Sequence, residues 1–410
     1  MKGTQQTGFA FAVEAGRRGE RVRVSLGRLP SERLLRRVSD SLARFLSGIS
    51  TRVVALASAV AVVSCSSTPR VPAVDPDVAR AGIVRHLPAK LENREAWAAD
   101  IFMAFESLGL PPSDQNACAV IAVATQESTL RVNPSVPGLP AIARKEIEKR
   151  AASHHIPMML VSAALSISSP NGKSYNARLD NVKTEKDLSD LFEDFIGMVP
   201  LGKRLFGDLN PVRTAGPMQV GIAFAEQHVK EKRYPYPVTG SIRDEVFTRR
   251  GGLYFGTAHL LDYDAPYDDM LYRFADFNAG HYASRNAAFQ NAVSVASGST
   301  LALDGDLLID GGSASDVSNT EQAVRKLRGR LDLTDGEIRD DLQQGTREGF
   351  EKTRTYTRVF ALADKKKTQP LPRAMVPKIR LQSPKITRNL TTEWFARRVN
   401  DRYQRCLTEK

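Results

Sequence analysis

Asn116-Ala117-Cys118-Ala119-Val120-Ile121-Ala122-Val123-Ala124-Thr125-Gln126-Glu127-Ser128 is an apolar run that ends in a carboxylate. From Ala117 to Ala124 every residue is small or aliphatic, so a helix here is apolar on all sides and lies inside its domain. Ser113 and Asp114, which follow Pro111-Pro112, can cap its start, and Asn133-Pro134 is expected to stop it soon after Arg131. Glu127 then sits in the last turns of a core helix. Partial desolvation and the negative end of the helix dipole both favour the protonated acid at that place. Such a carboxyl suits a general acid that protonates a glycosidic oxygen. The plainer alternative is a Glu127 that turns to solvent or pairs with Arg131.

Outward from this helix the pattern is mainly helical. Asn93 to Leu108 is amphipathic, with Trp97, Ile101, Phe105 and Leu108 on one face, and Gly109-Leu110-Pro111 closes it. Further helices are expected at roughly 141–165, 184–199, 222–232, 269–278, 319–330, 334–344 and 391–406. Asn210 to Gly221 reads as a tight turn around Gly216-Pro217-Met218-Gln219, and Gly280 supplies a left-handed residue after the helix that ends in Asn278. Leu301 to Ile309, with Asp304, Asp306 and Asp310 in or beside it, reads as a short hairpin rather than a calcium loop. Gly172-Lys173-Ser174 lacks both the first glycine and the strand of a phosphate loop, and His154-His155 lacks metal-binding spacing and reads as surface. No metal or cofactor is expected.

The N-terminus reads differently. Arg52 precedes the uncharged run Val53 to Val63, and Ser64-Cys65-Ser66-Ser67 follows it. Eleven residues, apolar but for Ser58, are too few to span a bilayer and suit the core of a secretory signal. Val62-Val63-Ser64-Cys65 resembles a bacterial lipobox, which implies that Cys65 becomes an acylated first residue and that 1–64 is removed. Ser66 resembles the sorting residue of outer-membrane lipoproteins, so the expected place is the outer membrane, facing the periplasm, with its lipid as one partner. The alternative is a buried helix with a chance cysteine. Residues 66–80, with Pro69, Pro72 and Pro76, read as a tether.

Net charge is +12 over the chain, and residues 1–64 hold eleven Lys or Arg against four Asp or Glu, so the remainder carries +5. That mild basicity suits an anionic wall polymer as well as nucleic acid and does not choose between them. Cys118 and Cys406 remain after Cys65. In an oxidising compartment they either bridge the C-terminal helix to the core, or Cys118 is an ordinary core residue, and the sequence leaves both open.

Four segments in order resemble the lytic murein transglycosylases of the lysozyme-like superfamily. These are Glu127-Ser128 at a buried helix end, the Gly216-Pro217-Met218-Gln219 turn, Asn278-Ala279-Gly280, and Thr353-Arg354-Thr355-Tyr356 on a late helix. The resemblance covers about 150 of the 346 residues from 65 onward. Departures are the 88 positions between Glu127 and Gly216, the 75 between Gly280 and Tyr356, and Phe277 where the family usually has tyrosine. The whole chain also looks similar to uncharacterised proteobacterial lipoproteins.

The resemblance implies a lysozyme-like domain over 86–363, with helical insertions at about 134–211 and 290–348. A lipidated tether (65–85) would precede it, and a basic extended segment with a C-terminal helix (364–410) would follow. It further implies a peptidoglycan partner and an acid, Glu127, that acts alone because the muramic 6-hydroxyl is the nucleophile, whereas ordinary glycosidases use two carboxylates. Ser128, Gln219, Asn278 and Tyr356 would bind sugar or lie near the acid, while Gly216, Met218 and Gly280 would support the site. A non-catalytic wall-binding lipoprotein is the rival, and nucleic-acid binding is disfavoured for want of any recognition motif.

Overall fold

A computed structural model describes residues 74–198, 200–313, 315–381 and 389–409, and the fold is mainly helical with one two-stranded sheet. The stretch read above as a signal and lipobox, with Cys65, lies outside the described residues.

The chain enters with α1 (Pro76–His86), capped by the Asp75 carboxylate and buried through Ala79 and Ile83. Residues 76–80, read above as tether, are therefore helical, because Asp75-Pro76 is a helix start as well as a turn signal. Next come α2 (Arg94–Leu108), closed by Gly109 in the left-handed region, and α3 (Asp114–Ser128), capped by the Ser113 hydroxyl. α3 ends earlier than Asn133-Pro134 would dictate. Thr129 and Leu130 adopt φ of 54° and 56°, and the Leu130 amide reaches back to the Ala124 carbonyl. That closure satisfies carbonyls at the helix end without a glycine.

The expected single helix over 141–165 is two: α4 (Leu139–Ser153) and α5 (Met158–Leu165). Pro157 divides them, since it lacks an amide hydrogen and pushes Ile156 away from helical angles. α6 (Tyr175–Leu179), α7 (Glu185–Gly197) and α8 (Gly202–Phe206) complete the segment, which packs around its own apolar cluster of Leu139, Tyr175, Leu179 and Leu191. A capping box between Thr184 and Asp187 fixes the start of α7.

The sheet is not at 301–309. Its strands are β1 (Thr214–Ala215) and β2 (Val220–Gly221), antiparallel, with Thr214 opposite Gly221, and they flank the Gly-Pro-Met-Gln turn. Residues 301–309 form an irregular loop held by the Gln290 amide, which donates to Asp304 Oδ1 at 2.7 Å and to the Asp306 carbonyl at 3.0 Å.

After the sheet run α9 (Ile222–Glu231), α10 (Ile242–Val246), α11 (Arg249–Leu261), α12 (Met270–Ala279) and α13 (Ala283–Ser297). Then come α14 (Asn319–Arg325), α15 (Arg328–Leu331), α16 (Asp335–Gln343), α17 (Arg354–Asp364) and α18 (Thr392–Thr408). The periodicity reading had no helix at α11 or α13. Both are buried on nearly every side, so neither shows an amphipathic stripe.

Three further apolar clusters order these elements. One joins α1, α2, α3, α11, α12 and α18. A second joins α13, α14, α16 and α17, and a third gathers the sheet, α9, α10 and one side of α11. α18 packs on α12 and α3, and a disulfide from Cys118 in α3 to Cys406 in α18 closes the open question about these cysteines, with a Cα–Cα separation of 5.6 Å. This bridge joins residues 288 positions apart, so it removes much freedom from the unfolded chain. Reduction, or the C118A/C406A double substitution, should lower stability to unfolding by about 2–5 kcal/mol. A urea midpoint that does not move would mean packing alone holds α18.

Candidate functional site

α3 delivers Glu127 into the interior, with 2 % of its surface exposed. The alternative that turns this side chain to solvent is excluded. Ser128, beside it, is 1 % exposed and spends its hydroxyl on the helix end: it donates to the Ala124 carbonyl at 2.9 Å and accepts from the Arg131 amide at 3.2 Å.

The hairpin turn is positioned by glycines on α11. A side-chain carbon at Gly252 would lie 2.5 Å from Pro217 Cδ, and one at Gly256 would lie 2.5 Å from Met218 Sδ. Both distances are shorter than packed carbons allow, so the bare α11 backbone is the floor on which the turn rests. Gly216 itself has φ of 74°, and a carbon added there would lie 2.3 Å from the Val246 carbonyl oxygen. Met218 is completely buried, in the cluster that contains Ala117 to Ala124 of α3. Gln219 also has positive φ, 52°, and its amide folds back on the turn: Nε2 donates to the Gly216 carbonyl and Oε1 accepts from the Thr214 hydroxyl, each at 3.1 Å.

At the end of α12, Asn278 is 9 % exposed and its Oδ1 accepts from the Thr392 hydroxyl at 2.9 Å, which ties α12 to the first turn of α18. Gly280 does not take the left-handed helical geometry expected. Its φ of 104° and ψ of 151° lie in an extended region that is essentially closed to other residues.

Glu127 and Asn278 thus lie at the ends of α3 and α12, and the apolar residues of both helices share one cluster with Met218 of the turn. Tyr356 belongs to another. Its ring is stacked on Phe289 at 5.7 Å and edged by Phe350 and Phe360, and the charges that act on its hydroxyl are Arg373, Arg285 and Glu351. Burial pushes that hydroxyl up to about 12. The late Thr-Arg-Thr-Tyr segment sits at a helix start, where the Thr353 hydroxyl caps the Tyr356 amide.

Sequence reasoning missed a polar centre on α12. Asp276, two residues before Asn278, is fully buried and accepts hydrogen bonds from the hydroxyls of Tyr263 and Tyr267 and from the amides of Tyr282 (3.0 Å) and Ser284 (2.7 Å). Burial outweighs these donors and raises its carboxyl to about 7. Next to it the rings of His281 and Tyr263 stack at 4.1 Å, and His281 Nε2 donates to the His259 carbonyl at 2.7 Å. His259 Nε2 in turn donates to the Phe277 carbonyl at 3.2 Å. Burial depresses both imidazoles, His259 to about 3, so they are neutral braces between α11 and α12. The available signal was the density of Tyr and His across 254–282, which no motif links to Asp276.

Two other buried carboxylates among the described residues are held by arginine: Glu245 by Arg250, and Glu321 by Arg325 and Arg339. His86, Cys118 and Cys406 bring ligand-type atoms within 4.8 Å of one another. The two sulfurs are joined, however, and the His86 ring nitrogens meet Asp114 and the Cys406 carbonyl, so the group is a structural clasp.

The family described as Protein of unknown function (DUF1615) matches residues 90–409. The Uncharacterized protein YaiW of Escherichia coli (strain K12) is 57 % identical over 330 residues, which covers 80 % of this chain and 90 % of that protein. No solved structure matches the chain.

Two measurements check this geometry. Gly216→Ala should destabilise by at least about 1–3 kcal/mol, because the new carbon must push the Val246 carbonyl or the turn aside. For Asp276, a carboxyl raised in the folded state binds its proton more tightly there than in the unfolded chain. Its contribution to stability is therefore full below the unfolded value near 4 and falls as pH rises to about 7. Urea unfolding across that window should show the decline, and Asp276→Asn should flatten it whatever the substitution costs in absolute stability.

Proposed function

This chain belongs to the DUF1615 family, and we propose that it is a peptidoglycan-cleaving lipoprotein of the outer membrane, a lytic transglycosylase whose acid is Glu127. The observation that carries this reading is a glutamate 2 % exposed at the end of a helix whose apolar run, Ala117 to Ala124, lies in the same apolar cluster as Met218 of the Gly-Pro-Met-Gln turn. An enclosed, low-dielectric setting is one in which a carboxylic acid can be kept neutral until it is needed as a donor.

On this reading Glu127 gives its proton to the oxygen between N-acetylmuramic acid and N-acetylglucosamine. The bond from muramic C1 to that oxygen breaks, the muramic 6-hydroxyl oxygen bonds C1 to close a 1,6-anhydro ring, and its proton passes to the Glu127 carboxylate. No second carboxylate takes part. Asp276, Glu245 and Glu321 are each engaged by hydrogen bonds or ion pairs, which fits a reaction whose nucleophile belongs to the substrate. Ser128, Gln219 and Asn278 spend their side chains inside the protein, so the glycan has to shift the turn or the end of α12 to reach them. Tyr356 packs in the second apolar cluster, where its ring braces α17. Acylated Cys65 would hold the domain at the membrane.

Those same internal hydrogen bonds favour the second reading, a non-catalytic wall-binding lipoprotein with the cleft closed. One experiment separates the two. Intact peptidoglycan incubated with the protein should release muropeptides lighter by one water than hydrolytic fragments. Glu127→Gln should reduce release by about 10²–10⁴-fold with sedimentation on the wall retained. Hydrated ends would require a second carboxylate and sink the single-acid mechanism, whereas sedimentation without release would establish the binding protein.

A further inference from the structure

No residue of α5 is buried, although its sequence is Met-Met-Leu-Val-Ser-Ala-Ala-Leu. Ile156 exposes 46 % of its surface, Met158 42 %, Met159 78 % and Leu160 57 %, and Ile167 just beyond the helix exposes 49 %. A helix this apolar is ordinarily inside a protein. Two features hold it out. Pro157 turns the chain away from α4, and a cleft of about 320 Å³, lined by Arg144, Ile147, Glu148, Met158, Ser162 and Leu165, separates α5 from α4.

A second exposed apolar stretch lies at the same end of α4. Met198, Leu201, Phe206 and Leu209 expose between 40 % and 69 %, and Arg150 Nη1 donates to the Leu209 carbonyl at 3.1 Å. The first stretch is free of carboxylates, and the second holds one, the exposed Asp208. None occurs between Glu148 and Asp180, where Lys149, His154, His155 and Lys173 are exposed, and none occurs between Asp194 and Asp208, where Arg204 is exposed.

A groove on a protein partner would cover one face of a helix and leave a polar face to solvent. Val161, Ala164 and Leu165 of α5 are half-buried toward the protein, and the rest of the helix is apolar but for Ser162, so the open side is broader than a groove would cover and suits the surface of a bilayer. Apolar side chains fringed by basic ones, with no acid between Glu148 and Asp180, match the boundary between acyl chains and anionic headgroups. We infer that α5 and the adjoining 198–209 stretch form a docking surface that inserts into a bilayer rich in anionic lipid. This rests on the lipoprotein reading only in that acylation would bring a bilayer beside the domain.

The test places a reporter in α5 of the full chain. Met159→Trp lies at an exposed position that the fold tolerates, and the unsubstituted chain supplies the background from Trp97 and Trp394. Vesicles of phosphatidylethanolamine and phosphatidylglycerol, with bromine on the acyl chains, are added in excess. The added emission should shift to the blue and be quenched, at a depth of about 5–10 Å below the phosphates. Replacing phosphatidylglycerol by a neutral lipid should weaken both effects. Water-like, unquenched emission in excess lipid overturns the inference, and so does a blue shift already complete before lipid is added, which would mean that a second copy covers α5. Acylation is read separately from the mass of the N-terminal peptide, so failure of the lipoprotein reading and failure of the docking surface are seen apart.

Discussion

The contact between the hairpin turn and the bare backbone of α11 is the constraint from which the centre of the molecule follows. Pro217 and Met218 occupy space that any side chain at Gly252 or Gly256 would fill. Because α11 also packs on α2, α3 and α12, seating the turn there fixes the turn relative to the helix that carries Glu127. The positive φ at Gly216 and Gln219 is the cost of folding the turn tightly enough to lie on that floor. Backbone strain of this kind survives where surrounding packing determines it, and Met218, wholly buried, supplies that packing.

The rest of the core is arranged so that α3 from Ala117 to Ala124 has no side facing water. α1, α11 and α18 all pack against it, and α18 returns from the far end of the chain to do so. That return is secured three ways: by apolar residues Phe395, Ala396, Val399 and Tyr403, by the Thr392–Asn278 hydrogen bond, and by the disulfide. Burial of each large apolar side chain contributes about 1.5–3 kcal/mol, so Phe395, Val399 and Tyr403 together outweigh the disulfide, and the single hydrogen bond adds least. α12 is braced separately. Its buried Asp276 and the neutral His259 and His281 connect α11, α12 and the start of α13 through hydrogen bonds and stacked rings.

The elements that carry the four motif segments fall in two apolar clusters. Met218 lies in the cluster built by α3 and α12, the helices that end in Glu127-Ser128 and Asn278-Ala279, whereas Tyr356 is enclosed by Phe289, Phe350 and Phe360 in another. The side chains that would contact a glycan have instead found partners within the protein. Ser128 closes its own helix, Gln219 closes its own turn, and Asn278 holds α18. Polar groups placed in an interior without a ligand must find such partners, since an unsatisfied buried group costs about 1–3 kcal/mol.

Where a residue's behaviour depends on its near neighbours, the sequence by itself determined it. The all-apolar run of α3 required burial, Ser113 required a helix start, and the amphipathic patterns of α2, α7, α16 and α18 located those helices to within a few residues. Helices α11 and α13 were not legible, because a helix enclosed on every side has no polar stripe, and three glycines in α11 argue against a helix unless the turn that sits on them is known. The tertiary structure alone decided that Cys118 meets Cys406, that the strands flank Gly216 to Gln219 rather than lie at 301–309, and that Asp276 gathers two tyrosine hydroxyls. It also decided that Tyr356 packs with Phe289, Phe350 and Phe360. Each of these depends on contacts between residues far apart in the chain, and such contacts leave no period or spacing in the sequence for a local pattern to report.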